Sequence, residues 1–440
     1  MEIKGRRVMV VGLGVSGLAA ARFLHAEGAR LVLTDARIDI DRAKLPPGDV
    51  ILGNEDCAAL RGVDLVVTSP GVPRGSALLR EAVRGATPVI SEIELASRCV
   101  DAPIVAVTGT NGKSTATVMI GQMLEAASMR VFTGGNLGRP LIEAAGGGYN
   151  VAVAEVSSFQ LEWIESFRPH VAIHLNLSDD HFDRYRNLEE YGAAKARLFE
   201  NQRSDDWAVL NRDDPNVWKL APSMRARVFS FGFDRPATSP AIWPENGALA
   251  FDNGDVSGSI SLDGFTLAGR HNLANAMAAS AAALAMGATP DAIERALQQF
   301  RALAHRIELV RERSGVKFID DSKGTNVGAV VEALAAFDSP VILIAGGVDK
   351  GGDYSPLIKP LRDKVRLAIF IGEARHKMSD ALSGVTEIEL VATLREAVAR
   401  AAGAARSGEV VLLSPACSSF DQFRNYAERG KLFQELVRAL

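Results

Sequence analysis

The residues best equipped for chemistry are Gly109-Thr110-Asn111-Gly112-Lys113-Ser114-Thr115, between the apolar run Ile104–Val107 and a helical pattern over Ala116–Glu125. Glycines let successive backbone N–H groups face phosphate oxygens, and the following helix N-terminus adds positive potential. Lys113 supplies a mobile charge, and Ser114 or Thr115 offers a hydroxyl to Mg²⁺. This is equipment for a nucleoside triphosphate. The glycines stand closer together than in the common phosphate loop, but a plain strand-to-helix turn would not require a Gly-Lys-Ser triplet.

Two further polar positions lie where they could serve that loop. Glu155 ends the run Val151–Ala154, and a strand-end carboxylate can reach a nucleotide-bound Mg²⁺, although such a residue can also be merely solvated. After the next apolar run comes Asn176-Leu-Ser-Asp179-Asp180-His181-Phe-Asp183, a polar cluster at the carboxyl end of a sheet, where ligands bind. His181 is the best metal-ligand candidate among seven histidines, because His174 lies within an apolar strand pattern.

A second phosphate-binding pattern opens the chain. Gly12-Leu13-Gly14-Val15-Ser16-Gly17 follows an apolar run and starts a helix, with Asp35 at the end of the next run, as in dinucleotide folds. Ser69-Pro70-Gly71 follows Leu65–Thr68 and could close on the same phosphates. Alone, this pattern also suits a nicotinamide-dependent dehydrogenase, or glycines serving only helix packing. A dehydrogenase has no need of the loop at Gly109.

These residues need strands to hold them. Val8–Gly14, Ile104–Gly112 and Val341–Gly347 each join a β-branched run to a glycine turn and a helical pattern, the grammar of parallel α/β sheets. Ile104–Val107, Val151–Ala154 and Val171–Ile173 read as strands of one central sheet. Val341–Ile344, Leu367–Phe370 and Val410–Leu413 read as another. Short alternating runs between residues 222 and 266 predict a small antiparallel excursion, and 273–303 reads as an Ala-rich helical stretch. Breaks near 93 and 302 give three expected domains, 1–93, 94–302 and 303–440.

Composition narrows the function classes. With 47% hydrophobic and 23% charged residues the chain is an ordinary globular protein, neither fibrous nor disordered. A net charge of −4 supplies no basic field for nucleic acid. The three cysteines, Cys57, Cys99 and Cys417, lack zinc or redox spacing and read as reduced structural thiols. The first apolar run superficially resembles a secretory signal, but its glycines have dinucleotide-fold spacing, and no other run is long enough to span a membrane. A cytoplasmic location is expected.

Taken together and in order, the motifs resemble those of the Mur ligase family. The resemblance covers essentially the whole chain: Gly12 to Gly17, Thr108 to Thr115, Asp180-His-Phe-Asp-Arg-Tyr185, Ala194-Lys195, His271-Asn272, His305-Arg306, Asp321 to Asn326 and Ser414 to Phe423. It implies a Rossmann-like first domain that holds a UDP-sugar, a central ATP-binding domain with a P-loop sheet, and a Rossmann-like last domain for an amino acid. Within the family the motifs are most similar to the branch that joins D-glutamate to UDP-N-acetylmuramoyl-L-alanine for peptidoglycan, through an acyl phosphate and a tetrahedral intermediate.

Carried onto this sequence, the resemblance gives Lys113 the γ-phosphate, Ser114 and Glu155 a first Mg²⁺, and His181 with Lys195 a second, Lys195 as a carbamate. Gly109 to Thr115, Asn272, Asn275, Arg306 and Asp321 would bind ATP. Gly14, Val15, Ser16, Asp35, Ser69, Pro70, Gly71 and Asn136 would hold the UDP-sugar, and Lys323, Thr325, Lys350, Ser419 and Tyr426 the D-glutamate. The implied partners are these small molecules alone, and a monomer is expected. Two departures stand out: Ala36 where Thr is expected in the uridine site, and Tyr426 where Phe is commoner. Folylpolyglutamate synthases share the P-loop core but lack the UDP-binding domain, so Gly12 to Asp35 argues against them. A non-catalytic nucleotide switch would leave Glu155, His181 and Lys195 without a purpose.

Overall fold

The computed structural model describes residues 2–267 and 269–440. Its short apolar runs pair into three separate sheets. The first contains β1 (Arg7–Val11), β2 (Arg30–Asp35), β3 (Asp49–Leu52), β4 (Leu65–Thr68) and β5 (Val89–Ser91), all parallel, in the order β3-β2-β1-β4-β5. Strand order reverses between β1 and β4, so a crevice opens at their carboxyl ends, where the Gly12 and Ser69 turns lie.

The second sheet contains β6 (Ile104–Thr108), β7 (Val131–Gly135), β8 (Val151–Glu155), β9 (Val171–His174), β10 (Trp207–Asn211), β11 (Arg227–Phe231), β12 (Ala241–Glu245), β13 (Ala248–Asp252) and β14 (Ser257–Ser261). The order is β14-β13-β12-β11-β10-β9-β6-β8-β7. β6 is interior to the sheet, fully buried and flanked by β8 and β9, so the loop after it opens between the ends of two neighbours.

Two expectations from sequence need refinement. The antiparallel excursion is confined to β12–β14, because β11 pairs parallel with both β10 and β12. The turn between β12 and β13 is Asn246-Gly247, both with positive φ (50° and 78°), the backbone that tight hairpins demand. The Ala-rich stretch is two helices, Arg270–Ala285 and Pro290–Gln299. Thr289 caps the second by accepting from the Ala292 amide, and Pro290 fills its first turn.

The first two sheets belong to one compact unit. Ser91 ends β5, and the next helix, Glu92–Ser97, carries the fully buried Glu94. Glu94 accepts from the amides of Glu165, Ser166 and Phe167, from the Ser166 hydroxyl and from Arg98. Burial raises its pKa, but these donors outweigh it and the carboxyl ends below its usual range. One ionised side chain thus ties the helix after the first sheet to the segment leading into β9.

The third sheet contains β15 (Glu308–Arg313), β16 (Val316–Asp320), β17 (Val341–Gly346), β18 (Val365–Ile371), β19 (Glu387–Leu390) and β20 (Val410–Leu413), in the order β15-β16-β20-β17-β18-β19. Only β15 runs antiparallel. Apolar clusters cover both faces, one around Leu343, Leu361 and Phe370, the other around Ile342, Val398 and Phe433. The unit built on this sheet also includes Leu177–Glu190 and Thr266–Leu273. Among the described residues, no helix is long and apolar enough to cross a membrane.

Candidate functional site

The turn after β6 has the backbone a phosphate loop requires. Gly112 caps the helix Lys113–Ala126 in the left-handed conformation (φ 86°), where no side chain caps the first turn. A Cβ there would stand 2.2 Å from Asn275 Oδ1, so a larger residue is barred by conformation and by space. Asn176, at the end of the segment after β9, shapes the loop: its Oδ1 accepts from the Asn111 amide, its Nδ2 donates to Asn111 O, and its carbonyl accepts from the Thr110 amide.

The charged groups converge on the same loop. Lys113 Nζ donates to the carbonyls of Gly109 and Thr110, at 2.9 and 2.8 Å. Ser114 Oγ donates to Glu155 Oε2 at 2.6 Å, and Asn136 Nδ2 donates to Glu155 Oε1 at 2.7 Å. Lys195, on the helix Leu188–Ala196, is almost wholly buried; its Nζ donates to Gly109 O at 2.9 Å and lies 4.4 Å from the Tyr191 ring centre. Lys113, Ser114, Asn136, Glu155 and Lys195 are thereby brought together. His174, beside Thr108 in the β6–β9 ladder, is fully buried, and burial followed by the charges of Lys195 and Lys113 pushes its pKa down to about 3. It lies within β9, in the apolar strand that sequence placed it in.

The N-terminal crevice is a cavity of about 380 Å³ lined by Gly14, Val15, Ser16, Asp35, Ser69 and Pro70 among others. Gly71 and the departing residue Ala36 also line it. Gly14 caps the helix Val15–Ala26 with no side-chain bond, leaving an anion-seeking helix end at the cavity. Gly17 is there for packing: a Cβ would fall 1.9 Å from Gly12 O. Asp35 accepts from the Leu13 amide at 2.7 Å and from Arg37 through both its amide and its guanidinium. Burial pushes the Asp35 carboxyl up, but the bonds from Arg37 and Leu13 and the Arg37 charge bring it down to about 2.

In the unit built on the third sheet, Asp321 follows β16 and is buried, accepting from Ser414 Oγ at 2.7 Å. Burial pushes its carboxyl up to about 7, against the Ser414 bond and the Arg306 charge. Arg306 Nε is buried and has no protein partner among the described residues, a donor suited to an anion. Lys350 Nζ lies 3.0 Å from Asp180 Oδ1 and 3.5 Å from Thr325 Oγ1. Lys323 Nζ lies instead over the Tyr426 ring, 5.2 Å from its centre. An antiparallel bridge between Val348 and Ser418 sets the Lys350 loop beside the loop of buried Ser419. His181 has φ 58° and lies in the same unit, as does Asn272, whereas Asn275 lies with the phosphate loop.

Three side chains stand out that sequence did not single out. Asn176, two residues beyond β9, entered the sequence reading only as the first residue of a polar cluster, without its role in shaping the loop. Arg37, two residues beyond Asp35, forms a two-pronged pair with it, and such pairs are the strong form of ion contact. Arg429 is 1% exposed, the bulkiest fully buried side chain among the described residues, and donates to the carbonyls of Ser322 and Cys417 at 3.0 and 3.2 Å. Burial pushes its pKa down to about 10, so it stays charged while tying two site loops together. Its helix, Tyr426–Ala439, has many charges, and nothing in the sequence marked this one as interior.

Residues 6–91 match the family model for the Mur ligase MurD-like N-terminal domain, 107–283 that for the Mur ligase middle domain, and 305–417 that for the Mur ligase glutamate ligase domain. The chain belongs to the Mur ligase family. It is 46% identical over 448 residues to a UDP-N-acetylmuramoylalanine--D-glutamate ligase of Trichlorobacter lovleyi, covering 100% of both chains. It is 47% identical over 451 residues to the enzyme of the same name from Geotalea uraniireducens, covering 100% of this chain and 99% of that one. The Mur ligase fold recurs in a pseudomurein peptide ligase type C from Methanothermus fervidus, with TM-score 0.63, 19% identity and coverage of 99% and 100%. The UDP-N-acetylmuramate-alanine ligase of Thermotoga maritima aligns with TM-score 0.62, 19% identity and coverage of 98% and 99%. A three-domain α/β architecture, in which Rossmann-like sheets precede and follow a P-loop sheet along the sequence, is the family's fold and this chain's.

Proposed function

We propose that this Mur ligase joins D-glutamate to UDP-N-acetylmuramoyl-L-alanine at the expense of ATP, releasing ADP and phosphate, in the synthesis of peptidoglycan precursors. The observation that carries the reading is the hydrogen-bonded series Asn136–Glu155–Ser114 beside the phosphate loop, together with 46% and 47% identity over the full chain to relatives bearing that enzyme name. A carboxylate is a poor electrophile. Transfer of the γ-phosphoryl group to the substrate carboxylate gives an acyl phosphate, and the amine of D-glutamate then displaces phosphate through a tetrahedral intermediate.

The loop amides, the helix N-terminus, Lys113 and Arg306 meet the ATP phosphates, while Asp321 takes the ribose and Asn272 with Asn275 lie nearest the adenine. The cavity around Gly14 to Ser16 receives the UDP, with Asp35 fixed by Arg37 as an ionised acceptor and Asn136 reaching the sugar. Asp35 is held ionised and Asp321 is pushed towards neutrality, so the two carboxyls offer different hydrogen bonding to their ligands.

Ser114 and Glu155 fit a Mg²⁺ ion, because their oxygens approach to 2.6 Å at the mouth of the loop and this cation takes oxygen ligands. His181 and Lys195, the latter as a carbamate, would hold a second. The ions would neutralise charge on the transferring phosphoryl group. Lys195 suits the role by position, since its amine is buried at the phosphate loop beside Gly109 O. Lys323, Thr325, Lys350, Ser419 and Tyr426 receive D-glutamate, two cations answering two carboxylates. The reading places a monomeric enzyme in the cytoplasm, where ATP is supplied and its three free cysteines stay reduced. The test is D-glutamate-dependent ADP release in the presence of UDP-N-acetylmuramoyl-L-alanine and Mg²⁺. Release that no amino acid stimulates would refute it.

A further inference from the structure

Asp180 has no part in the chemistry outlined so far, yet it is 6% exposed and sits among the groups that matter. Its Oδ1 accepts from Lys350 Nζ at 3.0 Å and from the His181 amide at 2.9 Å. Its Oδ2 accepts from Asn326 Nδ2 at 3.1 Å. Asn326 is itself fixed, since its Oδ1 caps the helix Val327–Ala335 by accepting from the Ala329 amide at 2.8 Å. The carboxylate is therefore clamped on one oxygen by a helix cap, and with the other it holds an ammonium.

We propose that Asp180 is a positioning residue for amino-acid selection, fixing the Lys350 ammonium so that it can receive a carboxylate of the incoming D-glutamate. The inference rests on the D-glutamate reading above. A lysine ammonium on four flexible carbons points nowhere in particular until it is anchored. It has three N–H donors; Asp180 engages one and Thr325 Oγ1, at 3.5 Å, marks the direction of a second, which leaves a third for substrate. Only 17% of the Lys350 side chain is exposed, so the pair is screened weakly and its geometry persists. The next residue, Gly351, backs onto Phe182, which keeps the two loops in step.

The arrangement also connects two functions. Asp180 braces the left-handed turn at His181, whose carbonyl accepts from the Arg184 and Tyr185 amides, with the same oxygen that pairs with Lys350. Asparagine at this position can still accept from the His181 amide when its carbonyl oxygen takes the Oδ1 place, but not when its NH₂ group does. Its NH₂ group, however, must face either the Lys350 ammonium or the Asn326 amide, both donors, so the clamp fails in either orientation.

The test is steady-state kinetics on the full chain, wild type first, then Asp180→Asn, Asp180→Ala, Lys350→Met and the Asp180→Asn/Lys350→Met pair, with thermal melts on each. The KM for D-glutamate should rise about tenfold or more in both Asp180 variants, while those for ATP and UDP-N-acetylmuramoyl-L-alanine stay within about twofold. In the Lys350→Met background, adding Asp180→Asn should change the D-glutamate KM by less than about twofold, because the interaction is already gone. A D-glutamate KM within about twofold of wild type in the single variants, an equal rise in all three KM values, or full multiplication of the two substitutions would overturn the proposal. Wild-type chain that does not use D-glutamate would refute the D-glutamate reading itself; a using wild type with unaltered variants refutes only the role of Asp180.

Discussion

Ser114 and Glu155 lie 41 residues apart in sequence, and their side-chain oxygens approach to 2.6 Å. β6 and β8 are adjacent parallel strands with Val107 opposite Glu155, so the loop after one and the last residue of the other must meet. Asn136 then fixes the carboxylate from the far side. Replacing Glu155 with Gln keeps the shape and removes the charge. Turnover should fall at least about a hundredfold with the melting temperature little changed, as expected for lost electrostatic stabilisation. Activity within a few-fold of wild type, measured as ADP release, would remove Glu155 from the site.

If the two nucleotides bind at different sheets, as proposed, their losses should separate. Lys113→Ala should abolish turnover and leave UDP-sugar affinity nearly intact, and Asp35→Ala should weaken the UDP-sugar with little effect on ATP. Calorimetric titration of each variant with each ligand decides this. Parallel loss of both ligands in either variant would contradict the division.

Gly112 is a position where backbone and space agree. Gly112→Ala puts a Cβ 2.2 Å from Asn275 Oδ1 at φ 86°, and the strained backbone alone costs ~1–3 kcal/mol. The variant should melt lower and bind ATP poorly. Unchanged melting and unchanged ATP affinity would show that the loop has another conformation open to it.

Glu92 gives a pH signature. It is 1% exposed, Oε1 accepts from the Ile142 amide, and Oε2 has no protein partner among the described residues. Burial pushes its carboxyl up from 4.5 to about 7. The folded state then binds more protons than the unfolded state between those values, so stability falls as pH rises from about 4.5 to about 7 and levels off above. Glu92→Gln should remove that part of the decline, measured by urea melts across the range. Parallel curves for wild type and variant would mean that Glu92 titrates normally.

How much of this was legible in sequence follows from how local each signal is. The phosphate loop and the dinucleotide turn are contiguous, and their glycines act through backbone conformation and close approach, as Gly112 and Gly17 demonstrate. Strands such as Ile104–Thr108, Val151–Glu155 and Val341–Gly346 declared themselves as continuous apolar runs, whereas the buried Trp207–Asn211 was not read as one. β15, Glu308–Arg313, did not: it is an edge strand with four charged residues, and its pairing with β16 supplies what its composition hides. Arg429 was invisible because a charged residue in a charged helix reads as surface until the carbonyls of Ser322 and Cys417 are placed around it. Asp180 was seen only as part of a polar cluster, since its partners Asn326 and Lys350 are 146 and 170 residues away.

Lys195 bears on whether the second metal site exists. Its amine is buried against Gly109 O and the Tyr191 ring, and a bare ammonium there would repel Mg²⁺. A carbamate carbon signal from ¹³C-labelled bicarbonate, absent in Lys195→Ala, together with severe loss of ligation in that variant, is the expected result. An unmodified lysine in fully active protein would overturn the assignment.

The central claim is tested most directly by ADP release from purified full-length chain given ATP, Mg²⁺, UDP-N-acetylmuramoyl-L-alanine and one amino acid at a time. D-glutamate should stimulate release strongly and yield the UDP-N-acetylmuramoyl dipeptide. D-alanine and L-lysine should be poorer by about 10⁴-fold, because analogues without a second carboxylate leave one of the proposed site's cations unpaired. Equal stimulation by D-alanine or L-lysine, or none by D-glutamate, would contradict the account.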